Sequence, residues 1–193
     1  KEDIEITNYP EKRMEDLLQT AEGKHLQSAD DWLLKKKDIL PRIQWALGDK
    51  PPLAESEAGD YGMEKTYIAV ARGRNNIPDT VGKISFNFGH YIPGDLYFPK
   101  GADKAGKKIP AVVWVHPLSN SNGYVAGYHR GTDVHIALAE AGFAVLAFDQ
   151  IGNGQRISEI KNFYRRYPDW SLMGKMVEDV RASLNAFRLF DFV

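Results

Sequence analysis

Two hydrophobic runs with almost no polar interruption dominate the pattern along the chain: Ala111-Val112-Val113-Trp114-Val115 and Phe143-Ala144-Val145-Leu146-Ala147-Phe148. Runs of this β-branched and aromatic kind predict strands buried on both faces, which makes the first a central strand of a parallel sheet. Between them lie a polar loop, LSNSNGYVAGYHRG, and a helical pattern, TDVHIALAEAG. The helix would carry Val134, Ile136, Leu138 and Ala141 as apolar positions, with Thr132 as its cap and Gly142 as its stop. Strand, crossover helix and strand make a right-handed βαβ unit. Ligands of open parallel sheets gather at the carboxyl ends of the strands, and here those ends carry HPLSNSNG and DQIGNGQR.

Before this unit the periodicity changes twice. Residues 1–60 read as a helical N-terminal extension. EKRMEDLLQTAEGK sets Met14, Leu17, Leu18 and Ala21 on one face with Gly23 as a stop. SADDWLLKKKDILPRIQWALGDKPP predicts a second helical stretch, capped by Ser28 or Asp30 and ended by Gly48, in which Pro41 should force a kink or a split into two short helices. From Glu64 the period is two: EKTYIAVAR and GKISFNFGHYIPGDLYFPK alternate apolar and polar residues, as antiparallel strands with one wet face do, with a turn or bulge between Gly89 and Gly94. KGADKAGKK reads as a solvated loop. After the second buried run, ISEIKNFYRRYPDW is irregular and not obviously core. SLMGKMVEDVRASLNAFRLF returns to helical spacing, with Asp169 or Ser171 as cap and Leu172, Met176, Val180, Leu184 and Phe187 on one face.

Composition narrows the function classes. Lys and Arg number 25 against 26 Asp and Glu, so no long-range field attracts a phosphate backbone and nucleic acid is not an expected partner. No apolar run approaches the roughly 20 residues that span a bilayer, so no membrane partner is expected either. The absence of cysteine excludes disulfides, thiolate metal sites and a cysteine nucleophile. The first residue is Lys rather than Met, which fits a removed signal peptide or a trimmed boundary and slightly favours a secreted or periplasmic setting.

Three patterns could carry chemistry by themselves. Ser121, in Ser119-Asn120-Ser121-Asn122-Gly123, half matches the G-x-S-x-G nucleophile elbow but lacks its leading glycine, and only His129 and His135 follow it. A self-contained triad is disfavoured, and Ser119 and Ser121 read as loop residues bonding their own backbone. Gly152-x-Gly154 beside Asp149 partly matches a dinucleotide fingerprint, but Ile157 stands where its third glycine belongs; a tight turn is the better reading. His129, Asp133 and His135 offer imidazole and carboxylate, yet Asp133 and His135 would point to different faces of a helix. No metal and no cofactor is expected, and these side chains read as solvated.

Several segments in order, DWLLKKKDILPRIQWALGDKPPL, GDLYFPKG, IPAVVWVHP, FDQIGNGQR and SLMGKMVEDVRASLNAF, resemble acetyl-xylan-esterase-like members of the α/β-hydrolase superfamily, near its dienelactone-hydrolase-like branch, over most of residues 30–193. The resemblance implies an α/β fold: residues 61–193 as the first half of an α/β-hydrolase domain, with antiparallel lead strands before the βαβ unit. It implies a serine ester hydrolase acting on carbohydrate or other small acyl esters. Relatives carry His-Gly-x after the first buried strand, the x amide donating to the oxyanion. Here His116-Pro117-Leu118 matches, so the backbone N–H of Leu118 is the implied donor, His116 shapes the loop beside the substrate, and Gln155 or Arg156 lies near the pocket. Arg156 as a structural hydrogen-bonder is an equal alternative. The family's elbow serine, acid and histidine match nothing in residues 1–193, so the implied partner is the missing C-terminal half of the fold, and the chain alone is expected to be inactive. A non-catalytic hydrolase-like scaffold used for binding is the alternative, with a nucleotide-binding βαβ protein behind it.

Overall fold

The computed structural model describes residues 17–20, 23–51, 77–89, 91–117, 123–124, 131–161 and 163–193. Contacts divide the chain into two compact units, Lys1–Ala46 and Leu47–Val193. The expected boundary at residue 60 lies outside the described residues, as do Met14 and the strand-like EKTYIAVAR.

In the first unit, Leu17–Thr20 does not continue a helix. Gln19 forms an antiparallel bridge with His25, and Leu26 N–H donates to the Leu18 carbonyl at 2.8 Å. Gly23, at φ +81°, supplies the left-handed residue that this tight reversal needs, so it closes a turn rather than ending a helix. Helix α1 then runs Ala29–Leu47. Its start is a reciprocal capping box. Ser28 Oγ accepts from Asp31 N–H at 3.2 Å, and Asp31 Oδ2 accepts from the N–H of Ser28 at 3.1 Å and of Gln27 at 2.9 Å. These amide donors, Gln27 first, hold the Asp31 carboxyl below the usual aspartate range. Pro41 lies inside this one helix instead of splitting it. Proline removes a single i−4 hydrogen bond there, and the bonds on either side keep the helix assigned as one element.

The second unit is built on a mixed four-stranded sheet in the order β1-β2-β4-β3, where β1 is Val81–Phe88, β2 Ile92–Pro99, β3 Ala111–Trp114 and β4 Ala144–Phe148. β1 and β2 form an antiparallel hairpin whose pairing continues unbroken from Val81↔Pro99 to Phe88↔Ile92, so the reversal is a turn and not a bulge. Gly89 and Tyr91 take positive φ in it, +51° and +54°. β2 pairs antiparallel with β4, and β4 parallel with β3. Thus β4, buried at every residue, is central, whereas β3, like β1 on the other side, is a terminal strand among the described residues. Its residues are partly exposed, and Val115 just beyond it is 45% exposed. That corrects the expectation of a β3 buried on both faces. The run is apolar enough, but only one of its edges and part of its faces are covered.

Each face of the sheet has its own core. Leu96, Ala144, Leu146 and Phe148 pack with Phe86, Phe88, Phe98, Phe190 and Phe192 under α4, Leu172–Ala186. On the other face, Tyr97, Val145 and Ala147 pack under Ile136 and Ala139 of α2, Val134–Glu140. The capping expectations divide. Ser171 caps α4, its Oγ accepting Gly174 N–H at 2.9 Å, whereas α2 begins at Asp133 without a side-chain cap. Leu184 does not share the buried face of α4, for it is 56% exposed. Steps of four residues advance about 40° each at 3.6 residues per turn, so by Leu184 the stripe begun at Leu172 has rotated into solvent. The buried face follows Met176, Asp179, Val180, Ser183, Ala186 and Phe187.

A third cluster sits beyond the end of β4. Ile151, Phe163 and Trp170 are buried together, with Tyr167, Leu172 and Met176 against them, so the aromatic segment read as irregular is core. A 3-10 stretch, Gly154–Ile160, and the short helix α3, Phe163–Arg166, carry it. The two positions separate in stability. Leu146→Ala should cost about 2–5 kcal/mol and Leu184→Ala less than about 0.5 kcal/mol, measured by denaturant unfolding.

Candidate functional site at the carboxyl edge of the sheet

β3 and β4 end side by side, and the two connections leaving them are cross-tied at two points. The first is His116, only 3% exposed. Its Nδ1 donates to the Pro117 carbonyl at 2.6 Å, leaving Nε2 to accept from Gln150 N–H at 3.0 Å. Gln150 Nε2 returns a bond to the His116 carbonyl at 2.5 Å. Both ring nitrogens therefore serve the backbone, one as donor and one as acceptor.

The second tie is Asp149, at the end of β4. Its Oδ1 accepts Tyr124 N–H at 2.8 Å and its Oδ2 accepts Gln155 N–H at 2.9 Å. One carboxylate thus holds the middle of the β3–α2 connection to the turn after β4. The glycines explain how amides come so close. Gly123 and Gly154 have φ +67° and +51°, and a Cβ on either would collide with the Asp149 carboxylate. Of the Gly-x-Gly turn, Gly154 admits this carboxylate, whereas Gly152, at φ +82°, faces Ile160.

Arg156 lies beneath the turn, 1% exposed. Its guanidinium makes a two-pronged pair with Glu159 at 2.8 and 2.6 Å, reaches Asp179 Oδ2 of α4 at 2.8 Å, and donates to the Asp149 carbonyl at 3.1 Å. Lys175 pairs with the other oxygen of Asp179. Burial works against the Arg156 charge, but Glu159 and Asp179 outweigh it and raise its pKa above the ordinary value. Lys175 goes the other way: burial first, aided by repulsion from Arg156, lowers it despite Asp179. Of the two candidates on this turn, Gln155 is exposed, and Arg156 is turned inward as a brace between the turn and α4.

A second polar cluster lies under α2, where the sequence predicted a wet strand face. Asp95, fully buried on β2, accepts from the hydroxyls of Ser85 and Tyr124 and pairs with Lys83 Nζ at 3.2 Å. Tyr97 and Tyr124 hydroxyls lie 3.3 Å apart, and the His135 ring packs against both, 4.6 Å from Tyr97 and 5.4 Å from Tyr124 between centroids. His135, expected to be solvated, is therefore buried, because α2 turns it onto these rings. Burial, followed by the neighbouring Tyr97 and Asp95, pushes the Tyr124 phenol well above its ordinary pKa.

Leu118, Ser119, Ser121 and His129 lie outside the described residues. Among the described residues no group of three or more His, Cys, Asp or Glu is placed to hold a metal, and no helix is long and apolar enough to cross a membrane. Sequence reading missed Asp95, Tyr124, Asp179 and Lys175. The last pair had a visible signal: Lys175 and Asp179 are four apart on a helix, and Asp179 falls on its apolar face between Met176 and Ser183. Asp95 and Tyr124 had none, since 29 residues separate them.

Compared with protein-family models, with curated proteins and with solved structures, the chain matches none of them.

Asp149→Asn keeps one acceptor oxygen for two amide donors and should cost about 1–3 kcal/mol in denaturant unfolding. Tyr124 gives a pH signature. Its folded pKa is raised, so its contribution is complete below about pH 10 and lost as pH rises toward the folded value, at about 1.4 kcal/mol per pH unit. Tyr124→Phe should remove that alkaline slope and cost about 1.5–3 kcal/mol below it, both read from unfolding curves at stepped pH.

Proposed function

We propose that residues 61–193 are the first half of a serine ester hydrolase domain of the α/β-hydrolase kind, acting on a carbohydrate or other small acyl ester. The observation that supports this best is the carboxyl edge itself. Two antiparallel strands lead into a parallel βαβ unit, and the loops at its carboxyl end are tied to each other by His116 and Asp149. In this reading Leu118 N–H donates to the oxyanion, a contribution of about 3 kcal/mol to transition-state stabilisation when correctly aimed. In sequence Leu118 follows Pro117, whose carbonyl accepts from His116, and precedes Tyr124, whose N–H donates to Asp149. Gln155 is the first exposed residue after β4. The nucleophile, its acid and its base belong to the complementary half of the fold, since no G-x-S-x-G occurs in residues 1–193.

A hydrolase-like scaffold without catalysis is the second reading. The inward commitment of His116, Asp149 and Arg156 favours it, because none of the three presents a free group to a ligand. Activity measurements separate the two. Residues 1–193 alone should hydrolyse a nitrophenyl acetate series no faster than background, and saturable turnover removed by Ser121→Ala would overturn the division of the site. A serine-directed phosphonate should label the full-length natural polypeptide on a serine outside residues 1–193; absence of labelling would leave the scaffold.

A further inference from the structure

We infer that Tyr91, at the tip of the β1–β2 hairpin, is a stacking platform for a sugar ring, an outer subsite beside the carboxyl edge. Its backbone sets it apart. Among the described residues ten glycines take positive φ, and Tyr91, at +54°, is the one other residue that does. A β-carbon makes that conformation unfavourable, most of all on a bulky side chain. Gly89, in the same turn, has a packing reason for its lack of a side chain: a Cβ there would come within 2.9 Å of the Ala182 Cβ on α4. Tyr91 instead stands 70% exposed, more than any other large hydrophobic side chain described. Burial therefore offsets little of the strain, and glycine would serve the turn better. A ring held out in this way, at a cost in local stability, is the pattern of a residue kept for contact with a ligand.

The pairing fixes where the ring stands. Gly94 lies opposite Phe148, the last residue of β4, and the two strands are antiparallel. Going back from Gly94 to Tyr91 therefore follows the direction in which Phe148 continues to Asp149 and Gln150. Three residues at about 3.3 Å each put the Tyr91 backbone roughly 10 Å beyond that rung, off the same edge of the sheet that His116 and Asp149 tie together. The hairpin itself brings no exposed charge: with histidine neutral, the only charged side chain from Ile84 to Pro99 is Asp95, which is fully buried. An exposed phenol ring on such an element suits a neutral ligand with an apolar C–H face and a rim of hydroxyls, the surface that a pyranose offers. The choice of a sugar rests on the ester-hydrolase reading of this edge; the position of the ring rests on the backbone and the register alone.

Unacylated xylotetraose and cellotetraose test the subsite without reference to hydrolysis. Titrated into the full-length natural polypeptide and followed by NMR, at least one of them should shift the Tyr91 ring resonances with a saturable Kd. Tyr91→Gly should raise that Kd about three- to tenfold while raising the unfolding midpoint in denaturant, and Tyr91→Phe should keep the Kd within about twofold. Failure of both sugars to bind the unsubstituted protein would overturn the inference, and so would an unchanged Kd in Tyr91→Gly. A lower unfolding midpoint in that variant would also overturn it, by making the ring a structural element. Neither sugar carries an ester, so the outcome is separable from phosphonate labelling. A polypeptide that is labelled but binds neither sugar loses the subsite alone, and one that binds but is not labelled loses the hydrolase alone.

Discussion

The Asp149 carboxylate is the constraint on which the carboxyl edge depends. It is 2% exposed, and a buried carboxylate is tolerated only where donors replace its water. Two backbone amides do so, from Tyr124 and Gln155, and both can approach because the residue before each is a glycine in the left-handed region. The chain thereby brings together the middle of one connection and the start of the next. Without the carboxylate, the Tyr124 amide would be a buried donor without this acceptor, the Gln155 amide would lose its partner, and the positive-φ glycines would lose what they accommodate.

The other buried charges extend this clamp in two directions. Tyr124 gives its amide to Asp149 and its hydroxyl to Asp95, so the same residue fastens the connection to the residue that follows β4 and to the middle of β2. Arg156 takes the Asp149 carbonyl and Asp179, so the turn is fastened to α4. Paired charges of this kind are weak evidence for net stability, since desolvation offsets much of their attraction. Their effect is geometric. Each removes alternatives for where a loop can sit, and together they hold β2, β4, α4 and both connections in one arrangement.

The elements of this fold were largely legible and the ties between them were not. FAVLAF announced a central strand because nothing polar interrupts it, and Ser171 announced its helix because a hydroxyl there can reach Gly174 N–H. IPAVVWV looked equally central, but hydrophobicity reports what a strand is built to meet, not which neighbours are in place; β3 is terminal among the described residues. Asp95 falls on the strand face that alternation in GDLYFPK predicts to be wet, but alternation does not say which faces are covered: α4 covers one and α2 with Tyr124 the other. At the site, Gly152 and Gly154 were legible as a tight turn. That Gly154 makes room for Asp149, together with Gly123 from another loop, depends on a contact across 25 residues that no local pattern encodes.

Through-hydrogen-bond scalar coupling measures the central tie directly. In an isotope-labelled sample, the amide nitrogens of Tyr124 and Gln155 should both correlate with one side-chain carboxyl carbon, that of Asp149. Correlation of only one amide, or of the two with different carboxyl groups, would contradict the account of a single carboxylate joining both loops.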